Sequence, residues 1–195
     1  MKWRLPGRSG SKGNLLQDNT QQHAAAWAAC HLALERTTPL RKDCGALCAG
    51  RCCKGGPEDG MLLFPGEEAL YPENDLPIGW TVRDSEIRLP DRQAPIRLLV
   101  CNGKCDRTRR PASCRIFPLL PFVDEDGFVH ADPDMRAFTM CPLLSSPDAP
   151  RIRPAFIRAV CGAFEAVLDQ PGVRSLLALL AEENRVTGKF HGLDL

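Results

Sequence analysis

The chain has 195 residues, a formal net charge of +1 and ten cysteines. That length can bury a real hydrophobic core, so cross-links are not needed to make folding possible. The near-zero charge gives no electrostatic reason to expect nucleic acid or an acidic membrane as partner, and no run reaches the roughly 18 consecutive apolar residues of a membrane span.

In chain order, residues 1–19 read as a flexible N-terminal arm, with Gly, Ser, Lys and Asn and no sustained periodicity. The opening is basic, but Pro and polar residues stand where a secretory leader carries its apolar stretch, which predicts a cytoplasmic protein. Residues 20–195 read as a single domain. A helix is expected over 20–38, starting at Thr20 or Gln21, with Trp27, Cys30, His31 and Leu34 on one face and Pro39 as its stop. Residues 43–142 form a cysteine-cluster core rich in Pro and Gly, in which "GWTVRD", "SEIRLP" and "PIRLLVC" read as short strands. "PFVDEDGFVH" reads as a hairpin reversing at Asp126-Gly127, and its spacing leaves no room for the ligands of a calcium loop.

Two C-terminal helices are expected over 152–186. In the first, Phe156, Ile157, Val160, Phe164, Val167 and Leu168 make an apolar stripe; after "DQPG", Leu176, Leu177 and Leu180 form the inner face of the second. The end, "TGKFHGLDL", reads as frayed. The predicted fold is therefore small α+β: a cysteine-rich, metal-centred domain with short strands, flanked by N- and C-terminal helices.

The cysteines carry the chemistry. Cys44-x3-Cys48-x3-Cys52-Cys53 is one group; Cys101-x3-Cys105-x8-Cys114, with Cys141 before Pro142, is the other. Eight sulfurs in two tetrads suit metal chemistry, since zinc takes four tetrahedral ligands and an iron–sulfur cluster commonly takes four thiolates. In a reducing cytosol such sulfurs are ligands or catalysts; in an oxidising compartment they would be disulfides. Gly45, Gly50, Gly55, Gly56 and Gly103 let the backbone curl around an ion. On one helix Cys44, Cys48 and Cys52 would form a drifting stripe from which Cys53 points away, so the adjacent pair serves different centres or belongs to a tight turn. Neither zinc-finger nor ferredoxin spacing is present. All-cysteine ligation with Cys141-Pro142 leans slightly towards an iron–sulfur cluster over zinc.

"CGALCAGRCC" followed by "RRPASCRIFPLLPF" resembles the YkgJ-type cysteine-cluster family, described as zinc- or iron-chelating. The resemblance spans roughly residues 43–142. It rests on Cys52-Cys53 and on an element running from Cys105 through Arg110, Pro111, Cys114, Arg115, Phe117 and Pro118, with Cys141 as a later cysteine; C-x3-C stands where C-x2-C is expected. It implies metal binding without naming the metal. The flagellin lysine N-methylases carry a similar cluster, which keeps open a methyltransferase-type or redox enzyme with an accessory metal. A zinc-stabilised interaction scaffold is a further alternative. Arg110 and Arg115 flank Cys114, and positive charge beside a thiol favours the thiolate.

The remaining candidates have plainer readings. Cys30 and Cys161 sit on apolar helical faces and read as small core residues. His23, His31, His130 and His191 show no ligand spacing, with His130 either a hairpin residue or an auxiliary ligand. Asp124, Glu125 and Asp126 read as turn residues, and Glu67 and Glu68 as a helix start. No phosphate-binding loop, dinucleotide fingerprint, zinc-protease motif or nucleophile elbow appears.

Overall fold

The computed structural model describes residues 12–54, 59–103 and 105–192, with side chains from Gln21 onward. The α+β expectation holds: helices flank two small antiparallel sheets. Of the expected arm, residues 1–11 lie outside the described residues, and helix α1 begins earlier than expected, running Lys12–Glu35. Its apolar face is the expected one. Trp27, Cys30 and Leu34 are buried and His31 is partly so.

Helices α2 (Gly45–Cys48) and α3 (Ala112–Ile116) are short and carry cysteines. Strands β1 (Met61–Leu62), β2 (Thr81–Asp84) and β3 (Arg97–Val100) pair in the order β1-β3-β2, with Met61 opposite Leu99 and Thr81 opposite Val100. "SEIRLP" is not a strand: Leu89 bridges Arg92 across a tight turn, and the Ile96 N–H donates to the Ile87 carbonyl, so this stretch folds back on itself. Strands β4 (Leu119–Val123) and β5 (Val129–Pro133) make the predicted hairpin. Gly127, at φ 90°, occupies the left-handed position that its reversal requires.

Helix α4 (Pro142–Ser145) begins just after Cys141. Helix α5 (Pro154–Glu165) has Pro at its start, where a missing N–H costs nothing. Helix α6 (Val173–Phe190) continues past the expected end, and Asn184 on it is buried and occupied: its Oδ1 accepts from Met135 N at 2.7 Å and its Nδ2 donates to the Pro133 carbonyl at 3.0 Å. Residues 193–195 lie outside the described residues.

The main core joins α1, α5 and α6 to the β4–β5 hairpin. Its centre is aromatic: Trp27 stacks on Phe64 at 5.5 Å, and Phe164 meets both edge-on. Cys30 lies in this core and Cys161 packs against it, as expected. A second, smaller core of Leu63, Tyr71, Trp80 and Leu99 sits under the three-stranded sheet, and Cys101 and Cys105 pack against it. No described helix is long and apolar enough to cross a membrane.

Candidate metal centre

Cys44 stands at the N-terminal end of α2, where Asp43 Oδ1 accepts from Gly45 N at 3.0 Å and turns the chain into the helix. Cys44 and Cys48 are four residues apart and share a face of that turn. The helix does not carry on to Cys52. Ala49 (φ 51°) and Gly50 (φ 67°) are both left-handed and reverse the chain into a 3₁₀ turn, Arg51–Cys53. The single-helix stripe is therefore replaced by a helix–reversal–turn.

The second element is fixed from the outside by two buried or half-buried arginines. Arg107 donates from Nε to the Glu35 carbonyl at 3.2 Å and from Nη2 to the Thr37 carbonyl at 2.9 Å, tying the loop after Cys105 to the end of α1. Arg115 donates to the carbonyls of Arg110 (2.7 Å), Thr108 (2.7 Å) and His31 (3.3 Å). It is a backbone clamp and turns away from the Cys114 sulfur that it flanks in sequence. Glu67, fully buried, completes the scaffold: it accepts from Ala112 N at 2.6 Å and Phe64 N at 2.9 Å and pairs with His31 Nε2 at 2.7 Å. Glu67 opens a 3₁₀ turn, Glu67–Leu70, as expected, and is an internal hub as well. Sequence gives no signal for the hub, because two of its three partners lie 36 and 45 residues away.

All ten cysteines are free thiols. The Cys101–Cys105 loop crosses Cys53 so closely that a Cβ on Gly103 would meet the Cys53 carbonyl oxygen at 2.3 Å, and Gly103 has φ +74°. Gly55 and Gly56, and Lys104 within this loop, lie outside the described residues. A cavity of about 420 Å³ has Cys52, Cys53, Cys101, Cys105 and Cys114 in its walls, together with Trp80 and Leu99. Arg110 Nε donates to Cys105 Sγ at 3.2 Å, and its charge also reaches Cys53 and Cys114. Burial pushes the Cys114 thiol up, and the neighbouring Cys105, Cys53 and Cys101 add to this. Burial therefore wins over Arg110 at Cys114. Cys52 donates a hydrogen bond that holds the Cys53 thiol below its usual range, with Arg110 helping against desolvation.

Cys141 does not join the other downstream cysteines. Its neighbour is Cys48, and it in turn bears on Cys44, whose thiol is raised by burial, by Asp43 and by these two sulfurs. Cys52 lies within reach of Cys48 and Cys44 as well as Cys53. All eight proposed ligands thus fall into one linked neighbourhood. Among the described residues, no three Cys, His, Asp or Glu side chains converge into a ready-made ion site. The donor set is dominated by sulfur, with Arg110 beside it and Asp59 and Asp134 also in the cavity wall, and it suits a thiophilic metal better than calcium or magnesium, which need several oxygen ligands. His130 is not among these sulfurs' partners; it pairs with Asp124 at 2.6 Å on the hairpin.

The chain matches no family model, no curated protein and no solved structure.

Proposed function

We propose that this protein binds a thiophilic metal, as an iron–sulfur cluster or as zinc, through Cys44, Cys48, Cys52, Cys53, Cys101, Cys105, Cys114 and Cys141. The observation that carries the reading is a segregation of sulfurs. Cys30 and Cys161 go to the main hydrophobic core, whereas Cys52, Cys53, Cys101, Cys105 and Cys114, all free thiols, share the walls of one cavity. The resemblance of the two cysteine elements to the YkgJ-type family points the same way, as does a reducing, cytoplasmic setting in which thiols persist. An iron–sulfur cluster held here would supply one-electron chemistry; zinc would fix the loops.

The protein's own residues prepare the site. Arg107, Arg115 and Glu67 fix the loop and the α3 turn that present Cys105 and Cys114, while Arg110 places a positive charge beside Cys53, Cys105 and Cys114, three sulfurs that become negative as thiolates. The cavity of about 420 Å³ beside Cys53 favours a second reading, in which the metal is accessory to a redox or methyltransferase-type enzyme. Iron and zinc per chain in anaerobically purified protein test the first reading: stoichiometric metal supports it, and neither metal together with oxidised thiols overturns it. Cys114→Ser separates the two readings, since a structural zinc site loses its fold with its metal. An accessory centre leaves a folded, metal-depleted chain.

A further inference from the structure

We propose that the cavity beside the sulfurs binds a small amphiphilic anion, a carboxylate on an aliphatic chain, with its head at the mouth and its chain along the apolar floor. This goes beyond the metal reading and does not depend on it.

The cavity lies along a seam in the fold. Phe64, Ile116, Leu120 and Leu180 in its wall belong to the main core, whereas Trp80 and Leu99 belong to the smaller core under the three-stranded sheet, and all six are buried. The two cores therefore do not close on each other here, and about 420 Å³ stays open between them. Protein interiors are otherwise packed to crystal density, so an apolar space of this size is costly unless something fills it. A metal alone does not fill it. Bound by sulfur it stands close to the sulfurs, about 2.3 Å away for zinc, and gives Leu120 or Leu180 nothing to pack against. The volume falls instead within the range of small-molecule pockets, about 300–1,000 Å³.

The mouth has a different character. Arg51, Lys54 and Asp59 are the charged wall residues that are exposed, so they mark where the cavity meets water. The other charges of the wall are already engaged. Arg110 donates to Cys105 Sγ at 3.2 Å, and Arg136 donates to both carboxylate oxygens of Asp134 at 2.9 and 2.7 Å. Two cations against one carboxylate at the entrance favour a negative head over a positive one. An aliphatic carboxylate matches both ends. Its chain leaves water for the apolar floor, and its head stays beside Arg51 and Lys54 at the surface.

Isothermal titration calorimetry of the anaerobically purified full-length protein tests this with three probes of one chain length: decanoate, decanol and decylamine. Decanoate should bind saturably, about tenfold or more tighter than decylamine, with decanol between them. Arg51→Gln with Lys54→Gln, both at exposed positions, should weaken decanoate roughly fivefold and leave decanol unchanged. Trp80 lines the cavity, so decanoate should shift the indole emission, and Trp80→Phe should abolish that shift. Absence of saturable decanoate binding overturns the proposal, as does decylamine binding as tightly as decanoate. A folded Trp80→Phe protein that keeps the shift places the ligand elsewhere and overturns it too. Should Trp80→Phe fail to fold, the double glutamine variant still decides, since an unchanged preference for decanoate denies the mouth its role. Iron and zinc measured on the same samples keep the two readings apart. Decanoate binding by a metal-free protein sustains this proposal while the metal reading fails, and a metal-loaded protein that ignores decanoate does the reverse.

Discussion

At the scale of single residues, Glu67 is the side chain on which the site scaffold depends most. One buried carboxylate serves two backbone donors and His31. Glu67→Ala leaves the Phe64 and Ala112 N–H groups and the imidazole without that partner inside the protein, and the expected loss is about 2–4 kcal/mol of stability. Denaturant unfolding checks this; a loss under about 1 kcal/mol would show that water or rearrangement replaces the carboxylate. Asp124 gives a pH-dependent counterpart at the hairpin. Its carboxyl is held below the usual range, chiefly by the hydrogen bond from His130 and then by the Phe128 N–H. A carboxyl depressed on folding contributes stability above the ordinary carboxylate range and loses it as pH falls through the depressed value. Exchange of the Phe128 amide should therefore speed up, relative to its intrinsic rate, on going from about pH 6 to about pH 2–3. Asp124→Asn should flatten that dependence, and an unchanged profile would deny the carboxylate its role.

At the scale of elements, the loop that carries Cys101 and Cys105 is placed by a glycine rather than by a thiol. A methyl at Gly103 meets the Cys53 carbonyl and strains a left-handed φ at once, so Gly103→Ala should cost about 2 kcal/mol or more and loosen this loop from Cys53. Thermal unfolding measures the cost; a variant of wild-type stability would mean that the loop can lie elsewhere. The same scale shows what the sequence makes legible. Helix α5 and the β4–β5 hairpin are read correctly because periodicity and Asp126-Gly127 are local signals. Strand β1 has only two residues and exists because β3 offers it an edge, so no pattern announces it. "SEIRLP" alternates like a strand yet turns back at Leu89 and Arg92, a local turn that alternation does not encode. The eight candidate sulfurs are legible one by one, but their neighbours are not: spacing puts Cys141 with Cys101–Cys114, and tertiary folding sets it beside Cys48.

At the scale of the whole molecule, the candidate site hangs on a scaffold that does not need it. The aromatic centre of Trp27, Phe64 and Phe164 and the helices around it contain none of the eight sulfurs. The arginine tethers that shape the second cysteine element reach across 70, 72 and 84 residues to the last turns of α1 and to Thr37 just after it. Such distant contacts form late, once the helices have docked. Metal removal by chelation should accordingly leave the far-UV helical signal of the chain largely intact while freeing the thiols. A collapse of that signal on chelation would instead make the metal a condition of folding, as in small zinc domains.

The position of Cys141 beside Cys44 and Cys48 has a consequence in time as well as in space. A ribosome makes the first cysteine element about ninety residues before it makes Cys141, a delay of roughly 5–20 s at ordinary rates of synthesis. For that interval the early thiols stand in the nascent chain without the partner beside which they finally lie. They are then most open to oxidation, and a cell that makes this protein has reason to keep its newly made thiols reduced until the last cysteine arrives.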